Sequence, residues 1–133
     1  MSAYRLGNAQ ADVREFHAAF DVVIGDTPAI RRPMLRKALL AEEFTETITA
    51  IDSNNLADAV DGICDLIYVA LGTLVEFGVD VEPHWRAVHA ANMAKAGGGV
   101  REDGKRLKPP GWRPPDHDTL LRLQGWPSGV GES

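Results

Sequence analysis

Leu56-Ala-Asp58-Ala-Val60-Asp61-Gly62-Ile63-Cys64-Asp65-Leu66-Ile67-Tyr68-Val-Ala70-Leu71-Gly72-Thr-Leu74-Val75-Glu76-Phe77 is the stretch that decides the fold. It holds no proline, and its acids recur every three or four residues, which is a helical period. With Asp61 at zero and 100° per residue, Leu56, Ala59, Val60, Ile63, Cys64, Leu66, Ile67, Ala70, Leu71, Leu74 and Phe77 cover a broad apolar arc. A helix this apolar must be packed on several sides. Cys64, inside the run, reads as a buried core residue. A chain of 133 residues offers few partners for such a helix, so helices of a second copy are expected to complete the bundle.

Working outward, the neighbouring segments are helical too. Asp52-Ser53-Asn54-Asn55 is a polar turn in which Ser53 or Asn54 can cap the helix that follows. Before it, a helix is expected from about Arg32 to Ile51, with Pro33 in its first turn, where a missing N–H does no harm. Earlier still, Val13, Phe16, Phe20 and Val23 fit a helix over about Ala9 to Val23, ended by Gly25-Asp26-Thr27-Pro28. Beyond Gly78, Asp80 or Val81 opens a fourth helix that runs to about Lys95. Residues 100–133 are rich in Pro, Gly and charge and read as an extended tail with a short helix over Asp116 to Leu123. No alternating strand pattern and no internal repeat occurs. The expected architecture is all-α: a bundle of four to five helices over residues 1–99, completed by dimerisation, with the tail over 100–133 packing on or near the active site.

Charge sets limits on partners. Fourteen Lys and Arg against nineteen Asp and Glu give −5, so the chain lacks the basic footprint of a nucleic acid polymer binder. The longest apolar stretch, Leu66 to Val75, is far shorter than the ~20 residues of a membrane span. With one cysteine and no evident signal segment, a cytoplasmic location is expected.

The acids carry the chemistry. Asp58, Asp61, Asp65, Tyr68, Gly72 and Glu76 share one narrow strip of the apolar helix. On the preceding helix Glu42, Glu43 and Glu46 share an arc with Leu35 and Leu39. The short turn makes the two helices antiparallel neighbours, so these glutamates can face Asp61 and Asp65. Two carboxylates about 6 Å apart repel by roughly 2–3 kcal/mol at an effective dielectric of 20. A hard cation with oxygen ligands removes the conflict, and Mg²⁺, shared with substrate phosphates, suits an all-carboxylate cleft. No His or Cys stands at zinc spacing. Asp58, at the helix start, reads as a terminal acid. The histidines show no Ser or Cys partner pattern, and Gly97-Gly98-Gly99 lacks the residues of a phosphate loop. A helical binding or dimerisation module with an incidental acidic patch is the competing reading.

Glu42-Glu43-Phe44-Thr45-Glu46, followed by Asp61-Gly62-Ile63-Cys64-Asp65-Leu66-Ile67-Tyr68, resembles the all-α nucleoside triphosphate pyrophosphohydrolases. That superfamily includes MazG-type enzymes, dimeric dUTPases and phosphoribosyl-ATP pyrophosphohydrolase. Its pattern is ExxE on one helix and ExxD on the next. Glu43 and Glu46 match the first half and Asp65 the end of the second. The remaining Glu would fall at Gly62, so Asp61 is read as its substitute. The later segments Val88–Lys95 and Arg101–Trp112 resemble a MazG-like subgroup, some of whose members act on dUTP.

The resemblance implies at least a dimer, Mg²⁺ or Mn²⁺ held by Glu42, Glu43, Glu46, Asp61 and Asp65, and cleavage between the α and β phosphates. It further implies that Asn92 and Lys95 approach the substrate. Lys105 and Lys108 in the tail could close over phosphates. Glu43 is taken as the general base, and Lys95 as the cation that stabilises leaving pyrophosphate. The expected substrate is a (deoxy)nucleoside triphosphate, with dUTP foremost; phosphoribosyl-ATP is the alternative on the same fold and acids.

Overall fold

The computed structural model describes residues 3–127. It is all-helical: α1 (Leu6–Ala19), α2 (Pro33–Asp52), α3 (Leu56–Glu76), α4 (Val81–Met93) and α5 (His117–Leu123). Among the described residues the only β pairing is an isolated bridge, Val100 to Arg106. No helix there is long and apolar enough to cross a membrane.

Local chemistry sets the ends. Pro33 stands in the first turn of α2. Asp80 caps α4, its side chain accepting from the Glu82 N–H. The cap of α3 is Asn55, not Ser53 or Asn54: its side chain accepts from the Asp58 N–H, while Asn54 turns the chain with φ +53°. Helix α1 stops at Ala19, short of Val23, because Asp21 takes φ +57° and the His17 ring bonds back to the Val23 carbonyl. The following loop lies against the end of α3. Gly25 donates to the Val75 carbonyl, and a Cβ on Gly25 would stand 2.4 Å from the Glu76 carbonyl oxygen.

Helices α2 and α3 form the main pair, antiparallel. The residues of α3 turned toward α2 run 59, 62, 66, 69, 73 and 76, a three–four alternation. The matching line on α2 is Arg36, Leu40, Glu43, Thr47 and Ala50. This seam is unusually polar. Thr47 faces Gly62, and Arg36 reaches Val69, Thr73 and Glu76. Helix α1 packs on the other side of α3, where Val13, Leu71, Val75 and Val81 make the small apolar core.

Cys64 is exposed, not buried as the sequence suggested. It lies off both contact lines of α3, and its neighbours Val60, Ile63 and Ile67 are also about half exposed. The broad apolar arc of α3 is therefore covered over only part of its circumference by the chain's own helices. Glu76, placed with the other acids by its position on the wheel, is fully buried and paired with Arg32 and Arg36.

Candidate active site

The acids sit where α2 and α3 run side by side. Glu43 occupies a seam position between Leu40 and Thr47 and is partly buried. Its Oε2 has no hydrogen-bond partner. Desolvation, then the charges of Glu46 and Asp65, a hydrogen bond with Glu46 and the charge of Glu42 push its pKa above the ordinary value. Glu42 and Glu46 are exposed on the flank of α2, with Ala41 and Thr45 around the same shallow depression. Asp65 is exposed and near enough to act on Glu43.

Asp61 is exposed, and its charge is not among those that raise Glu43. Its neighbour Gly62 explains why that position carries no glutamate. A Cβ there would lie 2.7 Å from Thr47 Oγ1 and 3.1 Å from Thr47 Cα, so the two backbones meet at this point. A long side chain at 62 would drive the helices apart. Asp58 is committed locally: its backbone N–H donates to Asn55 Oδ1 and its Oδ2 accepts from Asn55 Nδ2.

Among the described residues, no three His, Cys, Asp or Glu side chains converge closely enough to hold an ion as they stand. The chemistry of the donor set nonetheless fits a hard cation. All the donors are carboxylate oxygens, and one of them is buried with nothing to bond.

The cations assemble elsewhere. Beyond α4 the chain turns back through Gly97 and Gly99, both with φ above +80°, and a short loop brings Val100 beside Arg106. Trp112 then lies on α4, its indole N–H donating to the Ala91 carbonyl at 2.7 Å. Lys95 and Lys108 both stand over this ring, 5.5 and 4.9 Å from its centre. Asn92, Lys95 and Arg106 line one shallow pocket. Lys105 extends from the loop, where its backbone N–H bonds Asp103. Among the described residues none of Lys95, Lys105 and Lys108 forms an ion pair with a carboxylate.

The two groups are far apart within one chain. Phe16 meets Tyr68 and Gln10 meets Val79, so α1 runs against α3. Gln10 also meets Val81, and Gly7 meets Glu82, so α4 runs against α1 and onward in the direction of α3. At 1.5 Å per residue, Lys95 lies on the order of 30 Å beyond Asp65. Of the residues singled out from sequence, Glu43 is brought to Glu42, Glu46 and Asp65, Asn92 lines a pocket with Lys95, and Lys95 shares the Trp112 ring with the tail lysine Lys108. No single constellation contains both sets.

Three features escaped the sequence reading. The buried Arg32–Glu76–Arg36 network and the Trp112 platform are two. The third is the stacked pair His84–His117, whose Nδ1 atoms are 2.8 Å apart and which pins α5 to α4. An apolar cavity of about 480 Å³ opens beside that pair, at the far end of α3 from the acids. The Arg and Glu of the first were legible as three-plus-four spacings, had the seam been taken as polar.

A comparison with curated proteins finds no match. A scan against protein-family models does: residues 13–92 match the model described as phosphoribosyl-ATP pyrophosphohydrolase. The match begins in α1, ends at Asn92, and spans the paired acids and the helices that carry them. It covers more than half of the sequence, and the all-helical architecture agrees with it, so the chain belongs to the phosphoribosyl-ATP pyrophosphohydrolase family.

Proposed function

We propose that the chain hydrolyses a (deoxy)nucleoside triphosphate to the monophosphate and pyrophosphate, with dUTP the foremost substrate. The observation that carries this is Glu43: a partly buried carboxylate with an unpartnered oxygen, crowded by Glu46, Asp65 and Glu42. Crowding of this kind is costly in a merely structural helix pair and useful in a phosphate site.

Mg²⁺ or Mn²⁺, held by Glu42, Glu43, Glu46, Asp61 and Asp65, would supply phosphate neutralisation and an acidified water. Glu43 is the base. Its desolvated, repelled carboxylate holds a proton more firmly than an ordinary glutamate, and Oε2 is the atom free to take it from the attacking water. Lys95, with Lys108 beside it on Trp112, neutralises the leaving pyrophosphate, and Asn92 and Lys105 bind the phosphates.

The separation of acids and cations supports a dimer in which the acids of one copy meet the cations of the other. The surface is available: Phe44, Ile48 and Ile51 on α2, and Leu56, Val60 and Ile63 on α3, are all at least two-fifths exposed. Sedimentation at micromolar concentration should give a dimer or larger; a stable 14.4 kDa monomer overturns this arrangement.

Phosphoribosyl-ATP is the second reading, favoured by the description of the matching family. One assay separates the possibilities. Nucleoside triphosphates and phosphoribosyl-ATP are incubated with Mg²⁺ or Mn²⁺, and products are resolved by anion exchange. Monophosphate and pyrophosphate in one step are expected, fastest from dUTP. Accumulation of diphosphate with free phosphate would falsify the pyrophosphohydrolase mechanism.

A further inference from the structure

Helix α5 buries none of its own residues, and at seven residues it is too short to be stable alone. Two sets of polar contacts hold it to α4. Gln124, at its end, brackets the Asp80 backbone: Oε1 accepts from the N–H at 3.2 Å and Nε2 donates to the carbonyl at 3.1 Å. The other contact joins two imidazoles, with Nδ1 of His84 and Nδ1 of His117 2.8 Å apart. The ring planes differ by 19° and the ring centres are 5.1 Å apart, so the two nitrogens point at each other.

Two ring nitrogens this close share one hydrogen: one donates and the other accepts. With both rings neutral, they must be opposite tautomers. With one ring charged the bond survives, because the cation donates and the neutral ring accepts. With both charged, two N–H groups and two positive charges face each other, and no bond is left. His117 is exposed and can carry a charge in water. A charge on His84 is costly, since the residue is 8 % exposed and its Nε2 is buried without a hydrogen-bond partner. Burial holds the His84 pKa below the ordinary histidine value; the Gln124 side chain and the Asp80 charge oppose this, and the His117 charge adds to it. The neighbouring cavity wall of Ile30, Leu74, Phe77 and Val79 carries no charge. Asp116, the cap of α5, faces the charges of Arg122 and His117.

We propose that the His84–His117 pair is an acid-released clasp: one hydrogen between the two Nδ1 atoms holds α5 on α4, and protonation of both rings frees it. The sign follows from burial. A released His84 takes its proton near the ordinary value of about 6.5, and a clasped one only at lower pH. The clasp is therefore fully present above about pH 6.5 and is lost as pH falls through the lowered value. Release opens the cavity of about 480 Å³, one side of which is Leu121 and Trp126. It also frees one end of the segment that carries Lys105, Lys108 and Trp112, whose other end stays fastened by the Trp112 bond to Ala91. Any effect on phosphate binding rests on the proposed hydrolysis; the clasp does not, and its test uses no turnover.

The full chain is compared at about pH 7.5 and about pH 5, on either side of the ordinary histidine value. The first readout is the ¹⁵N–¹⁵N coupling across the hydrogen bond between His84 Nδ1 and His117 Nδ1. We expect it at the higher pH and not at the lower. Its absence at the higher pH, or its persistence at the lower, overturns the proposal. The second readout is backbone ¹⁵N relaxation. The order parameters of α5 should fall from about 0.85 to below about 0.6 on acidification, while those of α2 stay high. His117→Ala removes the clasp at any pH, so its α5 should be mobile at both. An α5 that stays rigid in the parent chain at the lower pH, or in His117→Ala at the higher pH, overturns the assignment. Loss of order in α2 together with α5 overturns it too, because the clasp is a local device.

Discussion

Glu76→Ala should lower the melting temperature by about 10–20 °C. Glu76 is fully buried, and its carboxylate is shared by two guanidiniums, Arg32 and Arg36. Arg36 is itself 5 % exposed, and it also donates to Thr73 Oγ1 and the Val69 carbonyl. Removing the acid strands a buried cation, and breaking such a pair from one side costs about 3–5 kcal/mol. At about 2.1 cal/mol/K per residue, a chain of this length loses roughly 3–4 °C per kcal/mol. Glu76→Ala and Arg36→Met should each be severe, whereas Glu76→Met with Arg36→Met together should recover much of the loss, since two apolar side chains need no counter-charge. Thermal unfolding at one fixed protein concentration reads all of them. A single-variant loss under ~1 kcal/mol, typical of a surface pair, would show that the carboxylate is not the anchor.

The same network shows why part of the fold was legible and part was not. The helices announced themselves through apolar period and caps, and the turn at 52–55 fixed α2 and α3 as antiparallel neighbours. What periodicity concealed was which face of α3 meets α2. The wheel gave the apolar arc as the buried one, but the seam is built from Arg36, Glu43, Thr47, Gly62, Thr73 and Glu76. Polar side chains can fill a helix interface when each finds its partner, and partners sit on the other helix, out of view of a single-segment pattern. Cys64 and Ile63 were consequently placed inward, though they face away from the chain's own helices.

The candidate site divides in the same way. The acids were legible because their spacing is helical and their neighbours apolar. Gly62 read as a missing glutamate, and only the backbone approach of Thr47 gives its reason. Lys95 and Lys108 are thirteen residues apart with a glycine-rich turn between, and no local rule brings them to one indole; the long-range bond from Trp112 to the Ala91 carbonyl does. His17 passed as one of the histidines without a partner, since it bonds a carbonyl, that of Val23, reached only after the chain turns at Asp21.

The second large effect concerns the acids of α3. Asp65→Asn should reduce kcat/KM by about 100-fold or more, since loss of even an outer partner of a metal site costs about 10–100-fold. If Asp61 stands in for the side chain that Gly62 lacks, Asp61→Asn should be about as severe. Both changes keep shape and remove charge, so the loss is electrostatic. Asp58 is the control on the same strip. It is held in a reciprocal pair with Asn55 at the start of α3, and Asp58→Asn should cost only the ~0.3–1 kcal/mol of a helix-terminus charge. A second readout keeps metal binding apart from turnover: millimolar Mn²⁺ should raise the melting temperature of the parent chain and of Asp58→Asn, and do so far less for Asp61→Asn and Asp65→Asn. The sharper alternative starts from Asp65, whose charge is among those that raise Glu43. Should Asp61→Asn keep both activity and the Mn²⁺ response while Asp65→Asn loses them, the cation is held by Asp65 and the α2 glutamates alone. Should Asp58→Asn be the silent-metal variant instead, the site lies one turn nearer the start of α3.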